Sequence, residues 1–219
     1  MRVYSAQETA IALPYPALIA KISELFAAGV TAPLRHHHSL PNEQGQDNTL
    51  LLMPAWQNHQ GFGGVKIVNV NPNNAQRGLP AVAASYLLFS EKTGEHLALI
   101  NGSVLTARRT AAASALGARY LANPQAQTLL ILGAGRVASE LPDAFSSLFP
   151  IKKVLIWNRT PARSQSLLQE LESTERWNVE LVNDLQAAVA EADIISSATL
   201  AEQPILLGEW LQLGKHVDL

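Results

Sequence analysis

Leu129-Leu130-Ile131-Leu132-Gly133-Ala134-Gly135-Arg136-Val137-Ala138 joins an apolar run directly to a turn built on two glycines. The run reads as a buried strand and the residues after the glycines as the start of a helix. Gly133 permits the tight turn, Gly135 lets a backbone approach a pyrophosphate, and Ala138 takes the third small position of G-x-G-x-x-G/A. The helix aims its free N–H groups, those of Arg136 and Val137 first among them, and its positive dipole end at bound phosphates. A tight turn in some other α/β protein would carry the same six residues, so the context has to separate the two readings.

Downstream, a second apolar run, Val154-Leu155-Ile156-Trp157, ends in Asn158-Arg159-Thr160. This is where a dinucleotide-binding βαβ unit reads the adenosine ribose, and an NAD site usually places Asp or Glu there. Here the first carboxylate after the run is Glu170, and a guanidinium beside a hydroxyl suits a 2′-phosphate. NADP(H) is therefore the expected cofactor, with NAD(H) the alternative, and a solvated surface arginine the competing account of Arg159.

The rest of the composition narrows the class. The 219 residues carry a net charge of −2, 47% hydrophobic residues and no cysteine, which excludes disulfides, thiolate catalysis and cysteine-held zinc. There is neither a basic block nor an apolar run of the ~18 residues a membrane span needs, so no nucleic-acid or membrane partner is expected. The first residues lack the apolar core of a secretory signal, and a cytoplasmic protein is expected.

Before the glycine turn, 2–5 reads as a short strand, Ser5 and Glu8 as a capping box, and 15–28 as an amphipathic helix with Leu18, Ile22, Leu25 and Phe26 on one face. Strands are predicted over 34–40, 49–53, 65–70 and 81–89, the last pairing with 96–100 across a Gly94 hairpin turn. An alanine-rich helix over 105–121 links this mostly antiparallel half to an alternating βα half. The expected fold is thus α/β: a Rossmann-type doubly wound parallel sheet over 123–219, preceded by an α+β substrate and dimerisation domain over 1–122. The chain stops inside a strand begun at His216, and a shortened C-terminal end is expected.

Several segments together, Gly64-Val65-Lys66-Ile67-Val68-Asn69 with Pro72 and Asn73, Arg109-Thr110-Ala111-Ala112, Gly133-Ala134-Gly135 and Asn158-Arg159-Thr160, resemble the ornithine cyclodeaminase/μ-crystallin family. The resemblance covers essentially the whole chain. It implies a nicotinamide enzyme acting at the α-carbon of small amino or imino acids, and a homodimer joined through the substrate domains. It also implies that Arg35, Lys66 and Arg109 hold the substrate carboxylate, that Thr110 serves the cofactor, and that Ala198 and Thr199 contact its nicotinamide half. The residues agree with this on their own: Lys66 interrupts an apolar strand and Arg109 sits among small helical residues, and a buried cation in either place needs an anion. Each charge-assisted bond to such a carboxylate contributes about 1.5–3 kcal/mol. Snorkelling of Lys66, an edge charge at Arg35 and a structural acid for Arg109 are the competing readings.

Arg108, about 100° around the helix from Arg109, is expected to face solvent or to be structural. Of His36-His37-His38, at most His36 and His38 share a strand face, and with no carboxylate cluster nearby no metal is expected. One histidine beside Arg35 in the substrate pocket is the alternative to packing. Trp157, Trp177 and Trp210 are expected to pack, and Asp218 to sit beside the cofactor. Within the family, NADPH-dependent reduction of Δ1-pyrroline-2-carboxylate or Δ1-piperideine-2-carboxylate to L-proline or L-pipecolate is the expected activity. The alternatives are ornithine cyclodeamination with bound NAD, whose catalytic aspartate would fall beyond Leu219, an alanine dehydrogenase-like reaction, and a non-catalytic μ-crystallin-like binder.

Overall fold

The computed structural model describes residues 1–42, 45–57, 61–199, 201 and 203–219. They divide into two compact units: Met1–Pro14 with Lys21–Thr106, and Tyr15–Ala20 with Ala107–Leu219.

The first unit begins with β1 (Arg2–Tyr4) and α1 (Ala6–Ala12). Ser5 caps α1 by accepting from the Glu8 N–H, while the Glu8 carboxylate takes the Ser5 N–H. α2 (Tyr15–Ala28) starts on Pro14 and ends at Gly29, whose φ of +78° suits only glycine well. Then come β2 (His36–Leu40), β3 (Asn48–Trp56), β4 (Phe62–Val70), β5 (Val82–Ser90) and β6 (His96–Asn101). They form one sheet in the order β1-β6-β5-β4-β3-β2, antiparallel throughout except for β1 against β6. β3 and β4 run longer than predicted because pairing continues past the apolar stretches, into Phe62, Gly63 and Gly64 on β4 and Pro54, Ala55 and Trp56 on β3, whereas β2 starts two residues later than predicted, at His36.

Helix α3 (Gly102–Leu121) follows without a loop. It starts three residues before the predicted position because the Asn101 side chain accepts from the Val104 N–H at 3.0 Å and so caps it. The division between the two compact units falls within this helix, at Thr106 and Ala107. The reason is packing: Ala107, Ala111, Ala112, Ala115 and Ala118 are buried and belong to the second unit. The first turns of α2 belong there too, with Tyr15 and Ile19 buried, whereas Phe26, predicted on the apolar face, is exposed.

The second unit alternates β7 (Thr128–Leu132), α4 (Arg136–Ser146), β8 (Lys153–Trp157), α5 (Pro161–Glu172), β9 (Asn178–Leu181), α6 (Leu185–Glu191), β10 (Ile194–Ser197) and β11 (His216–Asp218). All five strands are parallel, in the order β11-β10-β7-β8-β9. The chain winds outward from β7 to β9 and then crosses back to β10, which places a topological switch point between β7 and β10. Leu129, Leu130, Ile131, Leu132, Val154, Leu155, Ile194 and Ile195 are at most 1% exposed, as strands covered on both faces must be. Trp157, Trp210 and Val217 pack against the cluster under α6. Among the described residues no single helix is long and apolar enough to cross a membrane.

Candidate active site

The carboxyl ends of β7, β8 and β10 open onto one cleft of about 640 Å³, within the usual range for small-molecule sites. Gly133 and Gly135 line it from the first turn, Trp157, Asn158, Arg159 and Thr160 from the second, and Ala198 and Thr199 from the third. The protein leaves the mouth of the glycine turn open. Gly133 adopts φ +119°, and its N–H donates to the Trp157 carbonyl at 2.8 Å. Gly135 is the N-cap of α4, and a Cβ added there would meet no other protein atom within 4 Å. Two glycines, an uncapped helix N-terminus and an open crevice at the switch point suit the pyrophosphate of a dinucleotide.

In the second turn the Asn158 side chain donates to the Thr160 carbonyl at 2.8 Å, so it braces the loop. Arg159 is exposed, and no ion pair of it is found among the described residues. Thr160 is the N-cap of α5 without a side-chain capping bond, which leaves its hydroxyl available. A guanidinium and a hydroxyl thus stand at the rim where the adenosine ribose of a dinucleotide would lie. Arg136 and Val137 are the first two residues of α4; Arg136 lines a separate groove between α4 and α5 with Glu140, Asp143 and Glu170. Asp218 accepts from the buried Ser196 hydroxyl at 2.6 Å across β10 and β11.

In the first unit, register places Lys66 of β4 between Met53 of β3 and Tyr86 of β5. The Tyr86 ring lies over Gly64, where a Cβ would stand 2.1 Å from the phenol oxygen, and burial raises the Tyr86 pKa. Lys66 is half-buried on that face. The strand that holds the three histidines begins at His36, which pairs with Leu52, so Arg35, predicted inside this strand, lies exposed just before it and outside the sheet register. Met53 and Lys66, paired across β3 and β4, share one face of the sheet. His37 shares this face, while His36 and His38 take the opposite one; their rings stand edge to face at 6.4 Å. Among the described residues no group of three His, Cys, Asp or Glu side chains is arranged to hold a metal ion.

In the second unit, Arg109 and Thr110 lie on α3. Arg109 is exposed on α3 and not the buried cation expected, because it faces away from the alanines that pack inside; no ion pair of it is found among the described residues, and partial desolvation pulls its guanidinium below the ordinary arginine pKa. Its neighbour Arg108 is the paired one. The Arg108 guanidinium meets Glu140 Oε2 at 2.9 Å and stacks 4.3 Å over the Tyr15 ring. The Tyr15 hydroxyl donates to the same carboxylate oxygen at 2.7 Å, and burial with this bond holds its pKa far above the usual phenol value. Of the two expectations for Arg108, the structure supports the structural one. Sequence reading missed Glu140 and Tyr15; the only signal was an acid and a phenol on otherwise apolar helix faces.

The sequence matches the ornithine cyclodeaminase/mu-crystallin family over residues 9–219. It is 41% identical over 194 residues to the Δ1-pyrroline-2-carboxylate reductase of Paracoccus denitrificans, covering 85% of this chain and 61% of that one. The Δ1-pyrroline-2-carboxylate reductase of Thermococcus litoralis, solved with NADH and L-proline, superposes with a TM-score of 0.81 at 29% identity, over 99% of this chain and 68% of that one. An archaeal alanine dehydrogenase dimer with bound NAD gives 0.83 at 25% identity, over 99% and 66%. The chain spans about three-fifths of the length of the curated relatives it matches. On the family match, the glycine turn and the α/β fold, the chain belongs to the ornithine cyclodeaminase/mu-crystallin family.

Proposed function

We propose that this chain carries the cofactor and substrate cations of an oxidoreductase that reduces a cyclic imino acid, Δ1-pyrroline-2-carboxylate or its six-membered homologue, with NADPH. The observation that carries the reading is the single cleft that unites the glycine turn with Arg159, Thr160, Ala198 and Thr199 at the carboxyl ends of parallel strands. The names of the Paracoccus and Thermococcus relatives support the substrate class.

In this reading the N–H groups opening α4, Arg136 and Val137 first, hold the pyrophosphate, and Arg159 with Thr160 takes the 2′-phosphate. Thr110, Ala198 and Thr199 line the nicotinamide end. Lys66, Arg35 and Arg109 fix the substrate carboxylate, so that orientation and field do most of the work. The bound nicotinamide supplies the hydride. The imine nitrogen arrives protonated from solution, and no side-chain acid is required of this chain.

The protein is assigned as a homodimer built through the first unit. Every residue of β2, the edge strand of this sheet, is exposed, and a second copy would cover it. The deciding experiment follows NADPH and NADH absorbance during incubation with each cyclic imine, and ammonia release from ornithine. Imine-dependent oxidation that is faster with NADPH is expected. Ammonia release without net cofactor consumption would replace the reductase by a cyclodeaminase.

A further inference from the structure

The Arg108, Glu140 and Tyr15 cluster is absorbed neither by the cofactor cleft nor by the carboxylate cations. Its side chains are largely sequestered, with 14% of Arg108 and 11% of Glu140 exposed. Glu140 Oε2 accepts from both Arg108 and the Tyr15 hydroxyl, and the Glu140 backbone carbonyl takes a second contact from that hydroxyl at 3.1 Å. The placement is specific. Arg108 directly precedes Arg109 on α3, and Glu140 lies on the second turn of α4, the helix that opens on Gly135. One carboxylate therefore fixes the rotation of the α3 turn that presents Arg109, and does so from the helix that carries the phosphate-binding turn.

We infer that Arg108 and Glu140, with Tyr15 packed on them, are positioning residues that aim Arg109 at the substrate carboxylate relative to the dinucleotide. The inference rests on the carboxylate role given to Arg109 above. The two adjacent arginines are thereby divided in function. The internal acid consumes Arg108, about 100° around the helix, which keeps Arg109 for an external anion. An arginine pair with no internal acid would compete for one carboxylate in two geometries.

The test compares wild type with Glu140→Gln, Arg108→Met and the double variant. It measures melting temperature, NADPH affinity by fluorescence titration, and L-proline affinity by calorimetry at saturating NADPH. Either single substitution leaves a sequestered group without its partner and lowers the melting temperature, whereas removing both partners restores most of it. Positioning predicts that L-proline binding is weakened about tenfold or more in all three variants, the refolded double variant included, since a small misplacement of a binding group has that effect. NADPH affinity is expected to stay within about threefold, because backbone N–H groups at the turn provide it. A double variant that regains both stability and wild-type L-proline affinity would overturn the inference and leave a structural pair. A wild-type chain that binds NADPH but no L-proline would instead overturn the carboxylate reading, and this inference with it.

Discussion

Gly133 and the carbonyl of Ala198 approach so closely that a Cβ on the glycine would stand 2.5 Å from the carbonyl oxygen. Neither group can yield cheaply, since the Ala198 N–H is itself held by the Leu132 carbonyl at 2.8 Å. The first glycine turn and the loop after β10 are thus fitted to each other. Gly133→Ala should destabilise the second unit by about 1–3 kcal/mol, through the close contact and the positive φ together. Gly135→Ala places its methyl in open space at an ordinary φ of −94°, so its melting temperature should be unchanged while NADPH binding falls. Thermal melts with and without dinucleotide separate the two effects. Equal loss of stability in both variants would contradict the assigned division of labour between the glycines.

In the proposed reading, the rim residue Arg159 is what discriminates NADPH from NADH. Arg159→Ala should weaken NADPH binding about 10- to 100-fold, the worth of one charge-assisted bond to a phosphate, and leave NADH nearly unchanged. Asn158→Ala should weaken both cofactors alike, because Asn158 braces the loop through the Thr160 carbonyl. Parallel titrations with NADPH and NADH check this, and an equal effect of Arg159→Ala on both would assign that side chain to solvent.

Asp193 connects the start of β10 to the start of β7, its Oδ2 accepting from the backbone N–H of Gln127 at 2.8 Å and of Thr128 at 2.9 Å. Asp193→Ala leaves both donors without that acceptor and should cost about 1–3 kcal/mol. Asp193→Asn keeps one acceptor oxygen and should recover part of the loss. Denaturant unfolding of the two variants measures the difference.

His216 on β11 gives stability a pH dependence. Burial lowers its pKa from 6.5, against an opposing pull from Asp218, so the unfolded chain binds a proton more readily than the folded one. Stability from this group is therefore complete above pH 6.5 and is lost as the pH falls through that value toward the depressed one. Melting temperatures measured from pH 7.5 down to pH 5 should fall more steeply for wild type than for His216→Gln. Identical slopes would remove His216 as the source.

The parts of the fold that follow from local pattern were legible in the sequence. The parallel strands of the second unit, the glycine turn and the capping box each depend on neighbours a few residues apart. The Asn158-Arg159-Thr160 turn was placed by its distance from the glycines, and the structure brings it into the same cleft. What the sequence hid depends on distant partners. Tyr15 meets Glu140 across 125 positions, so nothing near Tyr15 could assign the start of α2 to the second unit. Arg108 and Arg109 are equivalent in local pattern, and only the fold decides which of them has an internal acid. Gly102, a residue that ordinarily breaks helices, hid the true start of α3; a Cβ there would stand 2.6 Å from the Ala84 backbone, so packing requires the glycine.

Lys66 on β4 and Arg35 just before β2 make the proposed carboxylate assignment testable apart from the cofactor. Lys66→Met keeps the length of the side chain on the half-buried face of β4 and removes its charge, beside Met53 and the buried Tyr86 phenol. Losing one charge-assisted contact should lower kcat/KM for the imino acid about 10- to 100-fold. NADPH affinity should not change, because the cleft proposed for the dinucleotide is lined by 133–135, 157–160, 198, 199, 201 and 203–205. Arg35→Met should act in the same direction, and the double variant by less than the product of the two, since both cations hold one anion. A fully multiplicative effect would place them on separate groups, and an unchanged kcat/KM in Lys66→Met would remove the lysine from the site altogether.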